Sequence, residues 1–166
     1  MQEAIPKYHS PDALAILCRQ LGCQGRKLVF TNGCFDLLHV GHVRHLQEAR
    51  SLGDALLVAV NSDRSVRQLK GEKRPILQEA HRAEILAALA CVNFVTIFNE
   101  LDVSTLIRAI KPHIYVKGKD YTLQTMNQDE RAALEEAQSE IHFLAPIPGQ
   151  STSSILEKIE SHSLPN

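Results

Sequence analysis

Two histidines three residues apart, His39 and His42, flank Gly41 in the stretch Phe30-Thr31-Asn32-Gly33-Cys34-Phe35-Asp36-Leu37-Leu38-His39-Val40-Gly41-His42. Imidazoles can donate to phosphate oxygens, and a spacing of three keeps two of them near one face of a helix. A glycine between them lacks the Cβ that would hold a bulky ligand off the backbone. The start of a helix adds unpaired N–H groups and the positive end of its dipole, both favourable to anions. Together these residues predict a nucleotide phosphate site; a pair of solvated histidines is the plain alternative. His45 extends the spacing. Successive steps of three rotate round a helix, however, so a three-histidine zinc site is not expected and His45 reads as solvated.

Further candidates surround this pair. Lys70, Lys73 and Arg74 fall in a basic stretch, Arg64 to Pro75, that reads as an irregular loop. A mobile ammonium there would neutralise a polyphosphate. Arg82 shares the inward stripe of its helix with Ile85, Leu86 and Leu89. A cation in a first helical turn opposes the dipole, so Arg82 is expected to point along the sheet edge toward an anion, with a structural ion pair as the alternative. Asp36 and Asp63 are candidate general bases or turn caps. The hydroxyl run Ser151-Thr152-Ser153-Ser154 reads either as a helix cap or as a row of phosphate donors. Cys34 faces the expected site without a histidine pairing that would make it a nucleophile. The chain has neither G-x-x-x-x-G-K-[ST] nor G-x-G-x-x-G, which argues against P-loop kinases and dinucleotide dehydrogenases.

Elements must place these groups together. Residues 1–10 read as a loose arm. Ser10-Pro11-Asp12 starts a helix on Leu14, Leu17, Cys18 and Leu21, ended by Gly22. Lys27 to Phe30 is a short buried strand, followed by a turn and a helix from Val43 to Leu52. Ala55 to Asn61 is continuously apolar until its last residue, as in a strand buried on both faces. Then come a helix at Glu79–Ala90, a strand at Asn93–Phe98, a helix at Leu101–Lys111, a strand at His113–Val116, a helix at Gln128–Gln138, a strand at Glu140–Leu144 and a helix at Ser151–Ile159. Strands alternating with helices predict a Rossmann-like open parallel sheet of about five strands, three-layered α/β/α. Ligands of such sheets bind beyond the carboxyl ends of the strands, where strand order reverses. The candidate loops all fall at that edge. The organisation expected is an N-terminal arm and helix over 1–26, one nucleotide-binding domain over 27–160, and a tail over 161–166.

Composition narrows the class. A 166-residue chain, 44% apolar and 22% charged, suits one soluble globular domain. A net charge of −1 offers no global field for nucleic acid or an anionic membrane. No apolar run approaches membrane-spanning length, and the first residues lack a signal-peptide profile. Cys18, Cys23, Cys34 and Cys91 form no C-x-x-C pair, consistent with reduced thiols and a cytoplasmic location.

The run Gly33 to His42 closely resembles the signature of the cytidylyltransferase-like nucleotidyltransferases, and the likeness extends from about Lys27 to Ile159. It includes the H-x-G-H element, the Arg82 helix, Val116-Lys117-Gly118-Lys119-Asp120-Tyr121 and Ser151-Thr152-Ser153. The stretches Thr31 to Asp36, Ala59 to Asp63 and Lys70 to Pro75 are most similar to the adenylyltransferase half of bifunctional heptose-phosphate kinase/adenylyltransferases. This resemblance implies transfer of AMP from ATP to D-glycero-D-manno-heptose 1-phosphate, giving ADP-heptose and pyrophosphate for lipopolysaccharide, with Mg2+. It implies His39, His42 and Lys70 as catalytic residues. It implies nucleotide contacts from Asn32, Gly33, Cys34, Phe35, Gly41, Asn61, Asp63, Lys73, Arg82, Gly118, Asp120, Ser151, Thr152 and Ser153, and no protein metal ligand. A separate upstream sugar kinase and a homodimer are expected. The glycerol-phosphate branch carries an arginine before its terminal hydroxyls, where this chain has Pro146-Ile147-Pro148-Gly149. Alternatives are another acceptor (glycerol 3-phosphate, ethanolamine phosphate or phosphopantetheine) or a nucleotide-binding module without turnover.

Overall fold

A computed structural model describes residues 7–118, 121–145 and 152–162. Five parallel strands form one sheet: β1 (Leu28–Gly33), β2 (Ala55–Asn61), β3 (Phe94–Phe98), β4 (Ile114–Gly118) and β5 (Glu140–Leu144). Their spatial order is β3-β2-β1-β4-β5. The chain therefore builds outward from β1 to β3, then crosses back to place β4 on the other side of β1. The crevice between β1 and β4 is the point of reversal, where an open sheet of this kind takes its ligand. Thr31, buried on β1, ties the two strands there by donating from Oγ1 to the Val116 carbonyl at 2.9 Å.

Helices cover both faces. On one face lie α2 (Val40–Ser51) and α4 (Glu79–Ala88), whose Leu46, Ala49, Ala83, Leu86 and Ala87 pack on Val29, Leu56, Val58 and Val60. On the other lie α1 (Pro11–Cys23), α5 (Ser104–Ile110) and α6 (Gln128–Ala137), packed on Phe30, Leu57 and Tyr115. Side chains alternate across each strand, so neighbouring residues of β1 feed opposite cores. Leu14, Cys18 and Leu21 of α1 belong to the second core, each large apolar group contributing about 1.5–3 kcal/mol. The N-terminal helix thus packs on its own sheet. Burial raises the Cys18 thiol to about 11, so it behaves as a small apolar side chain.

Several elements depart from expectation. Residues 7–9 are not a loose arm: Tyr8 bridges to Val95, the Val95 N–H donates to the Lys7 carbonyl and the His9 N–H to the Val95 carbonyl. This covers the outer edge of β3, the kind of exposed edge that invites unwanted pairing. β1 does not stop at Phe30 but pairs with β2 through Gly33↔Val60. Its last residues are polar because they face the crevice rather than a core. The stretch from Arg64 is not irregular either, because Asp63–Lys70 form a helix, α3. Ser62 caps it, accepting from the Ser65 N–H at 3.2 Å, and Gly71, at φ 91°, ends it. On α4 the inward stripe is Arg82, Ala83, Leu86 and Ala87, while Ile85 faces solvent and Leu89 is half-buried. The remaining helix, α7 (Thr152–His162), follows β5.

Candidate active site

The carboxyl ends of β1, β2 and β4 open into a cleft of about 840 Å³. One wall comes from the face carrying α2: His39, Gly41, His42, His45, Lys70 and Arg74 line it. The floor is Thr31, Asn32, Gly33, Cys34, Phe35 and Asn61, and Thr152 closes one end.

His39 is the N-cap of α2, and His42 is its third helical residue. The His39 Nδ1 accepts from the Gly41 N–H at 3.1 Å, and the His42 Nδ1 accepts from the His39 N–H at 3.4 Å. Each ring therefore spends Nδ1 on the helix start, which assigns the proton to Nε2 as a donor. The rings stack with centroids 3.8 Å apart, and Phe35 meets His42 edge-on at 5.4 Å. Burial lowers the His42 pKa to about 4, helped by the neighbouring charges of His39, His45 and Lys70; burial likewise lowers that of His39. Both rings are neutral at pH 7, so they offer hydrogen bonds rather than charge. Phe35 takes a left-handed backbone (φ 46°), unusual for an aromatic residue, and so places its ring beside His42.

The cation on the same wall comes from α3. Lys70 ends that helix, a favourable place for positive charge, and is held by a helix terminus rather than a mobile loop. Lys73 is exposed and outside the cleft lining. Arg74 lines the cleft while donating from Nη1 to Asp36 Oδ2 at 2.6 Å. Asp36, 2% exposed, also accepts from the N–H groups of Ile76 and Leu77, at 2.7 and 3.1 Å. It is thus a latch for the loop after α3, with its contacts to Arg74, Ile76 and Leu77 spent on structure rather than on a general-base position.

Arg82 takes the structural ion pair that was its alternative reading, the anion being Asp63. It is 1% exposed, and its guanidinium is buried at the carboxyl edge of the sheet, between the residues that follow β1 and β2. Its Nε donates to the Leu77 carbonyl at 2.9 Å, its Nη1 to the Cys34 carbonyl, and its Nη2 to Asp63 Oδ1 at 2.8 Å. Asp63 is consumed by that ion pair, and neither residue lines the cleft. The adverse dipole of a cation in the first turn is offset by a carboxylate instead of a ligand. His45, expected in solvent, lines the same wall as His39 and His42, because the cleft is wide enough to take residues that fan round the helix.

Of the remaining expected contacts, Asn32 accepts on Oδ1 from the Tyr115 hydroxyl at 2.7 Å, and Asn61 donates from Nδ2 to Ser65 Oγ at 3.2 Å. The Cys34 Sγ lies 4.0 Å from Asn61 Oδ1, and burial raises its pKa, which disfavours a nucleophilic thiolate. Thr152 donates to the Leu37 carbonyl at 3.5 Å, and Gly118 is also in the lining. Asp120, Ser151, the side chain of Ser153 and the Pro146–Gly149 loop lie outside the described residues.

Sequence reasoning missed the second wall, on the face carrying α5 and α6, where Leu101, Asp102, Lys117, Tyr121, Asn127 and Glu130 line the cleft. Only the position of Lys117 at a strand's carboxyl end signalled it. Among the described residues no group of three or more His, Cys, Asp or Glu side chains is placed to hold a metal ion, and no helix is long and apolar enough to cross a membrane.

A family model described as Cytidylyltransferase-like matches residues 30–158, spanning the sheet and both walls of the cleft. The chain belongs to the cytidylyltransferase-like family. As a member it is a nucleotidyltransferase enzyme, and the imidazole-lined cleft lies within the matched region. The family member described here is 48% identical over 158 residues to the Bifunctional protein HldE of Geotalea uraniireducens (strain Rf4), a match covering 95% of this chain and 32% of the relative. It is 49% identical over 135 residues to that of Helicobacter pylori (strain ATCC 700392 / 26695), covering 81% and 28%. The chain spans about a third of the length of these curated relatives. Among solved structures, the lipopolysaccharide core biosynthesis protein from Thermoplasma volcanium GSS1 is similar with a TM-score of 0.60 and 27% identity, over 74% of this chain and 98% of that one. Pantoate-beta-alanine ligase from Francisella tularensis, complexed with beta-gamma ATP and beta-alanine, shares the fold at 13% identity and a TM-score of 0.58, over 96% and 78%.

Proposed function

We propose that this nucleotidyltransferase moves AMP from ATP to D-glycero-D-manno-heptose 1-phosphate, releasing pyrophosphate and ADP-heptose for lipopolysaccharide synthesis. The observation that carries the reading is the pair of neutral imidazoles at the start of α2, which line a cleft at the sheet's reversal point with Nδ1 spent on the helix and Nε2 left to donate. Similarity to the HldE proteins and to a lipopolysaccharide core biosynthesis protein supports the choice of sugar.

No protein nucleophile is required. A phosphate monoester, with a second pKa of about 6, is largely a dianion at neutral pH. One of its oxygens attacks the α-phosphorus in line while the bond to the pyrophosphate oxygen breaks, and both electrons of that bond leave with pyrophosphate. Charge builds on the α-phosphoryl and leaving oxygens, where His39 and His42 donate hydrogen bonds and Lys70 supplies positive charge. Thr152, with Ser151 and Ser153, would add donors for the β,γ-phosphates. Magnesium would enter as part of the substrate, with the nucleotide phosphates supplying its oxygens. The relatives' additional length would accommodate a sugar kinase that makes the acceptor.

The test is pyrophosphate release across a panel of nucleotides and phosphate acceptors. ATP with heptose 1-phosphate is expected to give the highest kcat/KM. Preference for CTP with glycerol 3-phosphate or ethanolamine phosphate would reassign the acceptor. Nucleotide binding without release under any pairing would make the chain a binding module.

A further inference from the structure

The second wall is chemically unlike the first. Lys117, near the carboxyl end of β4, is its one cation among the described lining residues. Its ammonium is 2.7 Å from Glu130 Oε2 and 4.5 Å from the centre of the Tyr121 ring, with only 11% of the side chain exposed. Glu130 is 4% exposed and is itself held in place. It accepts from the Val103 N–H at 3.3 Å and from Lys117, and the Tyr115 hydroxyl, whose proton goes to Asn32, lies beside it at 3.5 Å. Burial, then the Glu130 charge, holds the Tyr115 pKa well above its ordinary value, so that hydroxyl stays a donor. Burying a carboxylate to fix one lysine is costly unless the geometry is needed. Beside it, Asp102 has one oxygen engaged by the Ser104 N–H, leaving the other to accept from a hydroxyl. Asn127 Oδ1 is engaged by the N–H groups of Asp129 and Glu130, so the amide offers its N–H end to the cleft.

In-line displacement puts the attacking and leaving oxygens on opposite sides of the α-phosphorus. The imidazoles, the α2 N-terminus, Lys70 and Thr152 commit the triphosphate to the first wall, so the attacking phosphate must come from the second. Resting on the transfer reaction above, we propose that Lys117 seats the phosphate of a phosphorylated polyol, that Asp102 and Asn127 take its hydroxyls, and that Glu130 is the positioning residue that aims Lys117.

The experiment is calorimetric titration of heptose 1-phosphate and, separately, glycerol 3-phosphate into protein saturated with magnesium and α,β-methylene-ATP. It is run on wild type, on Lys117→Arg and on the pair Lys117→Met with Glu130→Gln, which removes the cation without orphaning a buried carboxylate. The pair should weaken acceptor binding by about tenfold or more, the loss of a charge-assisted bond, with the analogue's affinity unchanged. Lys117→Arg should recover part of the loss. A loss that falls on the analogue instead, an acceptor affinity that does not move, or no acceptor binding to wild type would each overturn the seat. If only glycerol 3-phosphate binds and the pair weakens it, the seat stands and the heptose assignment falls. Turnover with an unchanged acceptor KM in the pair would sink the seat and leave the transfer reaction intact.

Discussion

Replacing His42 by alanine removes a donor from the reacting phosphate and a hydrogen-bond acceptor from the start of α2, and the two losses can be separated. With Nδ1 accepting from the His39 N–H, Nε2–H is the donor left for a ligand in the cleft that His42 lines. Losing one preorganised donor to a developing oxyanion costs about 2.7–4 kcal/mol, or roughly 10²–10³ in kcat. KM for ATP should change little, because the bond strengthens as charge builds in the transition state. Losing the cap contact should cost about 0.5–2 kcal/mol of stability. Glutamine at this third helical position can reach back to the N-cap N–H, so His42→Gln should regain stability without regaining rate. The assay is continuous pyrophosphate release beside a urea melt on both variants. A kcat within about threefold of wild type, under 1 kcal/mol of barrier, in either variant would refute the reasoning.

Other perturbations follow from the same geometry. The His42 pKa falls from 6.5 to about 4 on folding, so the unfolded chain takes up a proton that the folded one refuses. Stability from this ring is present above pH 6.5 and lost as pH drops toward 4, by on the order of 2–3 kcal/mol given its partial exposure. Melting temperatures from pH 7 to 4.5 should therefore fall more steeply for wild type than for His42→Gln. Asp36→Asn breaks the pair with Arg74 and weakens the grip on the Ile76 and Leu77 N–H groups; it should cost roughly 2–4 kcal/mol by chemical denaturation and raise KM for ATP by freeing the loop after α3. Arg82→Lys should destabilise by about 3–5 kcal/mol yet leave the ATP affinity of the folded fraction nearly unchanged. A large loss of ATP affinity there would restore Arg82 as a phosphate ligand. Gly53→Ala would push a Cβ to 2.7 Å from Val29 Cγ2 and 2.8 Å from the Lys27 carbonyl, so its melting point should fall while kcat holds.

What could be read from the chain alone follows a physical division. Ala55–Asn61 and Glu140–Leu144 were legible to the residue because their apolar content or spacing reports burial directly. The Rossmann-like open parallel sheet with helices on both faces followed from the alternation of strands and helices. α3 was not legible, because it buries only Ser65 and Val66 and so carries no 3.6-residue apolar period, although Ser62 and Gly71 mark its ends. β1 was cut short at Phe30 because its last residues face a ligand crevice, where polar side chains replace apolar ones. At the site, His39 and His42 were readable because they stand three positions apart at one helix start. The partners of Arg82, namely Asp63, Cys34 and Leu77, come from separate turns, and no local spacing encodes such an encounter. The pairing of Lys117 with Glu130, thirteen residues apart on different elements, was invisible for the same reason.

A crystal structure with α,β-methylene-ATP and magnesium tests the central claim most directly. Nε2 of both His39 and His42 should lie about 2.7–3.2 Å from phosphate oxygens, with the triphosphate against the α2 wall of the β1/β4 crevice. Nucleotide bound at the amino edge of the sheet, or imidazoles turned from the phosphates, would contradict it.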